Sequence, residues 1–328
     1  MYRLLTLLFA WPALLASAPL SASEPRPVEL HSEPPVVVVP TIDMPAEAAT
    51  AILLLDEFTR PTTSVGIGTA GPFRFLVDTG AQATAVSRAV ADQLELPPAG
   101  RGVLVGTGSR RVVDLVELPD LNFADRELSL PASPVLGGEH MGADGILGLD
   151  TLQGLRVLID FRANRISIAN PEEERVTGRY EIVVRARKRL GQMIITDASI
   201  DGVRTAVIVD TGAALSIGNR ALQQRLRVRA QEEVETTDVN GVAFSANLRT
   251  ARRMEIGSLT IEPVPIGFAN SPAFAALDLA DRPALILGMS ALQGLDRLAI
   301  DFAARMVMFD LPRGVRTGSE RPRPFRNF

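Results

Sequence analysis

Cysteine is absent from the 328 residues. Disulfides, thiolate metal sites, cysteine nucleophiles and a lipidated cysteine anchor are therefore all excluded. Histidine is nearly absent. His31 sits in a proline-flanked stretch and His140 in the run Gly137-Gly138-Glu139-His140-Met141-Gly142, and both read as surface loop residues rather than parts of a metal site or triad. Acid–base chemistry must then fall to carboxylates, with no metal and no cofactor expected. Lysine is represented by Lys188 alone among 34 basic residues, a compositional skew to which no mechanism attaches. The formal net charge of -4 gives no reason to expect nucleic acid as a partner. Beyond the N-terminus no apolar run of membrane-spanning length is free of charges.

What is present begins with an export signal. Arg3 supplies a positive start, Leu4 to Ala18 form a short apolar core broken by Pro12, and Ser21-Ala22-Ser23 offers small residues for cleavage. Residues 1–23 are thus expected to be removed, leaving a periplasmic or secreted protein; the alternative is a chain tethered by an uncleaved signal. Residues 24–60 are proline-rich at first, with a β-branched burst at Val36 to Val39, and read as an extended lead-in with room for one strand. Residues 313–328 carry Pro, Gly and five arginines with few apolar residues and read as a disordered basic tail.

Between these ends the sequence repeats itself. Phe75-Leu76-Val77-Asp78-Thr79-Gly80-Ala81 is answered by Val207-Ile208-Val209-Asp210-Thr211-Gly212-Ala213, with Thr84 and Ser216 at the same offset. Ile146-Leu147-Gly148 is answered by Ile286-Leu287-Gly288, then Leu-Gln-Gly-Leu at 152–155 and 292–295, then Ile-Asp-Phe at 159–161 and 300–302. From Asp78 to Gly148 is 70 residues and from Asp210 to Gly288 is 78. Four matched blocks in one order make a duplication. A lobe at 61–170, a solvated linker at 171–179 and a lobe at 180–312 follow, each lobe long enough for its own core.

Within each copy a turn (Gly71-Pro72, or Asp201-Gly202) leads to an apolar strand ending at the Asp. Helical spacing follows at Ala89, Val90, Leu94 and at Ala221, Leu222, Leu226. Short strands come next, then the Ile-Leu-Gly strand, a brief helix and a closing strand. The expected class is mainly β with a few short helices.

The chemistry needs this duplication. Splitting an amide without metal or nucleophile requires one carboxylate to activate water while another acid protonates the carbonyl or the leaving nitrogen. Two carboxyls about 3 Å apart cannot both ionise, so they share a proton. Equivalent turns related by a twofold axis bring Asp78 and Asp210 face to face. Gly80 and Gly212 permit close backbone approach and leave N–H groups for the carboxylates. Thr79 and Thr211 have hydroxyls short enough to bond across the junction.

Over roughly residues 60 to 310, these motifs resemble the retropepsin-like aspartic peptidases, specifically the exported bacterial aspartyl proteases. The resemblance implies a two-lobed acid-protease fold with pseudo-twofold symmetry, Asp78 and Asp210 as the dyad, and crossed hydrogen bonds from Thr79 and Thr211. It also implies a mobile hairpin from each lobe closing over the substrate. Twenty-eight residues past each Asp, the tips fall at Gly106, Thr107, Gly108 and near Asp238, Val239, Asn240, Gly241, where Asn-Gly is a hairpin-turn signal. Asp160 and Asp301 would be structural. Departures exist: Tyr2 and Tyr180 are the only tyrosines, so the flap tyrosine of the pepsin branch is missing. The 132 residues between Asp78 and Asp210 are also short for pepsin, and two fused retropepsin-sized lobes fit better. The expectation is an endopeptidase acting on exported peptides or proteins, monomeric because one chain holds both motifs. The competing reading is a non-catalytic peptide-binding module on the same fold.

Overall fold

The computed structural model describes residues 49–52, 54–55, 60–123, 126–169, 180–227 and 232–312. The signal, the Val36 to Val39 burst, the linker and the basic tail lie outside the described residues. Strands predominate and all helices are short, as the pattern of short apolar runs and turns dictates.

The strands that end at the two aspartates organise the two lobes. Side chains alternate across a strand, so Phe75 and Val77 enter the large core while Leu76 faces a separate apolar cluster; Val207, Val209 and Ile208 divide in the same way. Ala70–Val77 pairs in parallel with Gly145–Leu147, which pairs antiparallel with Ala85–Ser87. In the second lobe Ala206–Val209 pairs in parallel with Ala284–Leu287, which pairs antiparallel with Ser216–Gly218. Two strands from distant parts of each sequence copy are thereby locked side by side, with the Asp just beyond one and the Gly just beyond the other.

The helices inside the repeats are short and capped. Ser87 Oγ accepts from Val90 N (3.2 Å) at the start of Arg88–Gln93, and Asn219 Oδ1 accepts from Leu222 N (2.9 Å) at the start of Arg220–Arg225. Asn219 also donates to the carbonyls of Leu279 and Arg282, both at 2.7 Å, tying its helix to a distant loop.

Six antiparallel strands join the lobes, in the order Ala49–Ile52, Arg165–Ala169, Arg156–Asp160, Arg297–Asp301, Met306–Asp310, Ile182–Arg189. The middle pair comprises the closing strands of the two copies, and its register is symmetric: Arg156 faces Asp301 and Asp160 faces Arg297. Asp160 and Asp301 each accept from a turn N–H three residues on, at Ala163 (2.8 Å) and Ala304 (2.7 Å). Their surroundings then diverge. Arg156 donates to the buried Asp301 at 2.7 Å, whereas Arg297 turns away to Asp310.

Three expectations need correction. The turn expected at Gly71-Pro72 lies at Gly68-Thr69, because Gly68 takes the left-handed conformation (φ +56°) and Ile67 pairs with Ala70 across a two-residue loop. The run holding His140 is not a loop but a helical turn, Gly138–Met141, closed by Gly142 at φ +69°. The main core is shared by the two lobes, and each lobe keeps only a smaller cluster of its own. One cluster runs from Phe75, Leu147 and Ile159 to Val209, Leu287 and Ile300, because the six-stranded sheet carries apolar faces from both copies into one interior. The lead-in contributes two strands: Ala49–Ile52 in this sheet, and Leu54–Leu55, which pairs antiparallel with Pro61–Ile67 of the first lobe.

Candidate active site

Asp78 and Asp210 each follow the last residue of their strand, and each has its N–H fixed by the neighbouring apolar strand. Asp78 N donates to Leu147 O and Asp210 N to Leu287 O, both at 3.0 Å. Each carboxylate then accepts two N–H groups of its own turn. Asp78 Oδ1 takes Gly80 N (2.7 Å) and Ala81 N (2.9 Å); Asp210 Oδ1 takes Gly212 N (2.9 Å) and Ala213 N (3.1 Å).

The glycines do more than free their own N–H groups. A Cβ at Gly80 would overlap the carboxyl of Asp210, and one at Gly212 would overlap that of Asp78. Each turn is thus packed against the acid of the other lobe. Below them the threonines cross. Thr79 Oγ1 donates to Val209 O (2.9 Å) and accepts from Thr211 N (3.2 Å); Thr211 Oγ1 donates to Val77 O (2.5 Å) and accepts from Thr79 N (3.1 Å). Both side chains are buried. Thr211→Val is expected to orphan Val77 O and Thr79 N at about 1–3 kcal/mol each. Urea denaturation checks this, and any hydrolytic activity falls with it as the carboxyl spacing loosens.

Behind each turn the apolar-apolar-Gly strand provides a brace. Gly148 N donates to Thr84 Oγ1 (3.0 Å), and Gly288 N to Ser216 Oγ (3.1 Å). Any side chain at Gly148 or Gly288 would strike the backbone at Ala83 or Leu215. The copies differ next to this brace. In the first lobe Asp150 accepts from Thr84 N (2.9 Å) and Thr84 Oγ1 (2.7 Å), and burial pushes its carboxyl above the usual range. In the second lobe Ser290 stands at that place after the Gly.

The two aspartates are partly exposed, and each carboxyl acts on the other. Burial raises the Asp78 carboxyl, opposed by the Gly80 and Ala81 N–H groups, by Asp210 and by the positive charge of Arg60. Burial raises Asp210 much further, because the Asp78 charge adds to desolvation there. The pair can therefore hold one proton over a wide pH range, one member as acid and the other as base.

Residues 106–108 form the tip between Pro98–Val105 and Arg110–Phe123, and residues 238–241 the tip between Glu232–Thr237 and Ala243–Ala251. The two tips touch. Asp238 is buried and accepts from Gly108 N (3.2 Å) and Ser109 Oγ (2.6 Å) of the other tip, and from Asn240 N and Val242 N (3.0 Å each) of its own. Asn240 Nδ2 reaches Ser109 Oγ (2.9 Å), and Arg111 donates to Asn240 O (3.0 Å). Gly106 and Gly108 are required here, since side chains would run into Asp238 and Phe244. Thr107 and Val239 lie between these contacts. Leu104, Val113 and Val239 of the hairpins pack on Leu76, Ala81 and Ile146 beside the Asp78 turn, so the hairpins cover the site.

Sequence reasoning passed over several residues near this centre. Ser109 and Asp150 carry no repeat signal. Arg60 and Gln192 occupy equivalent places, each 18 residues before its Asp, but differ in type, so a search for matched residues does not flag them. Arg60 Nη2 donates to Met141 O (2.6 Å) and Nη1 to Gly212 O (3.5 Å), while Gln192 Nε2 donates to Gly80 O (2.5 Å). Among the described residues no cluster of three or more His, Asp or Glu side chains could hold a metal ion.

Comparison with known proteins matches each half separately. Residues 63–154 match the family model described as gag-polyprotein putative aspartyl protease, and residues 196–291 match the one described as aspartyl protease. No curated protein matches the chain. The two matched segments contain one Asp-Thr-Gly turn each and together span more than half of the polypeptide. The chain belongs to the retropepsin-like aspartic peptidases, with both lobes in one polypeptide.

Proposed function

We propose that the protein is an aspartic endopeptidase that cuts peptide bonds of exported proteins with Asp78 and Asp210 as its acid–base pair. The observation that carries this reading is the interlocking of the two turns, each Asp carboxyl packed against the other lobe's glycine, with burial raising both carboxyls. With one proton on the pair, the ionised carboxylate takes a proton from water as its oxygen attacks the peptide carbonyl carbon. The protonated carboxyl gives its hydrogen to the carbonyl oxygen, and a neutral gem-diol results. On collapse, the first carboxyl returns its proton to the amide nitrogen and the C–N bond breaks. The second recovers a proton from a diol hydroxyl, which restores the starting state.

An apolar cluster adjoins each Asp turn: Leu76, Ala81, Ala85 and Ile146 in the first lobe, and Ile208, Ala213, Ile217 and Ile286 in the second. Apolar side chains on both sides of the scissile bond are therefore the expected preference. The export signal read at residues 1–23 supports periplasmic or secreted substrates. Among the described residues no helix is long and apolar enough to cross a membrane.

The test is a mixed peptide library incubated with the protein from acid to neutral pH, with the products sequenced. Cleavage between apolar residues is expected. Peptide binding without cleavage at any pH rejects the enzymatic reading in favour of a binding module. The meeting of the hairpin tips adds a kinetic expectation. Ser109→Ala removes both bonds made by that hydroxyl across the tips, each worth about 0.5–1.5 kcal/mol. Stopped-flow release of a statine-type peptide inhibitor should then speed up by about tenfold, with the fold unchanged.

A further inference from the structure

Arg60 and Gln192 are the same position in the two copies, and each anchors on the glycine carbonyl of the opposite lobe's turn. Gly212 packs directly on the Asp78 carboxyl, so the guanidinium held at Gly212 O lies on the Asp78 side of the pair. By the same construction the amide held at Gly80 O lies on the Asp210 side. The permanent charge of arginine therefore faces one aspartate, and a neutral amide faces the other.

We propose that Arg60 is a positioning residue that breaks the symmetry of the dyad, so that Asp78 is the ionised base and Asp210 the proton-carrying acid. This rests on the endopeptidase reading and extends it by fixing the direction of proton flow. Water loses its proton to Asp78, and the peptide carbonyl oxygen receives its proton from Asp210. The amide nitrogen takes the proton held by Asp78, and Asp210 is reprotonated from the diol.

The other groups acting on the pair fit this assignment. Asp78 is faced by Asp210 and Arg60 and by the Gly80 and Ala81 N–H groups; Asp210 is faced by Asp78 and by the Gly212 and Ala213 N–H groups. The backbone donors are the same in kind, and those to Asp78 are the shorter (2.7 and 2.9 Å against 2.9 and 3.1 Å), which favours the same assignment. Asp150, the acid nearest in sequence to the Gly148 brace, spends its carboxylate on Thr84 and Thr151 N (2.9 Å). Arg60 adds a positive charge acting on Asp78, whereas its counterpart Gln192 is neutral. Its strong second anchor, Met141 O, holds the head group in place while Gly212 O is approached only at 3.5 Å. The guanidinium is thus fixed by the first lobe and acts on the acid of its own lobe across the edge of the other lobe's turn.

The test combines titration with kinetics on the full chain. Aspartate carboxyl carbons labelled with carbon-13 are followed by NMR through a pH series in wild type, Arg60→Gln, Arg60→Lys and Gln192→Arg. Asp78→Asn and Asp210→Asn assign the two signals. The signal that ionises first should be the one absent from Asp78→Asn. Arg60→Gln should move that ionisation to higher pH, and Arg60→Lys, which keeps the charge, should largely restore it. Gln192→Arg places a second charge beside Asp210 and should narrow the gap between the two signals.

The acid limb of kcat/KM on a fluorogenic peptide should follow the first signal. An Arg60→Gln titration that coincides with wild type overturns the proposal, as does a first ionisation assigned to Asp210. The NMR result needs no turnover. If the wild type cuts no peptide while Arg60→Gln still shifts the titration, the endopeptidase reading fails and the electrostatic assignment stands.

Discussion

Asparagine in place of either Asp78 or Asp210 should lower kcat/KM by about 10⁴-fold, the upper end of what one positioned general acid or base contributes. The variants should stay folded. An amide keeps the shape of the side chain and can still accept the turn N–H groups of Gly80 and Ala81, or of Gly212 and Ala213. They should even gain stability at neutral pH. A carboxyl raised in the folded state binds its proton more tightly there than in the unfolded chain. Its stability contribution is complete below the ordinary value of 3.8 and is lost as pH rises toward the folded value, which for Asp210 lies well above 3.8. Asp210→Asn removes that loss, so its melting temperature should exceed the wild type's at pH 7 and approach it in acid. Thermal unfolding at the two pH values checks the stability claim, and peptide hydrolysis checks the catalytic one. Hydrolysis retained by either single variant would reject the paired mechanism.

The second large effect concerns the junction between the lobes. Arg156 and Asp301 meet across the central strand pair, and Asp301 is only 1% exposed. Arg156→Ala leaves that carboxylate without its counter-charge in the interior. The expected cost is about 3–5 kcal/mol, the usual penalty for removing one partner of a buried pair. Replacing both residues with leucine should cost far less, because no charge is then left behind. Denaturant midpoints of Arg156→Ala and of the double leucine variant separate these cases. If Arg156→Ala is nearly neutral, water reaches the junction and the pair is not a structural tie.

The duplication made most of the architecture legible before any coordinates. Asp78, Asp210 and the threonines beside them could be picked out because identical residues recur at matched spacing, and the class of fold followed from apolar runs punctuated by glycine. Positions where the copies differ were illegible for the same reason. Arg60 and Gln192 share an offset and a task but no chemistry. The latch through Asp238 depends on Ser109, a surface-type residue in a glycine-rich tip with no equivalent in the other copy. The common core was also hidden: alternation tells which face of a strand is apolar but not that strands from two lobes will share one sheet. The Gly71-Pro72 turn was misplaced because proline usually marks a turn, whereas the left-handed conformation that closes this one is taken by Gly68.

The interlocking of each glycine with the opposite acid has a bearing on biosynthesis. Until residues 210–212 have been made and the strands that brace them have followed, Asp78 has no Gly212 against it and no crossed threonine below it. On the endopeptidase reading, hydrolytic capacity then waits for the closing strands Arg297–Asp301 and Met306–Asp310 to pair between those of the first copy and Ile182–Arg189, so completion of the polypeptide doubles as a safety catch.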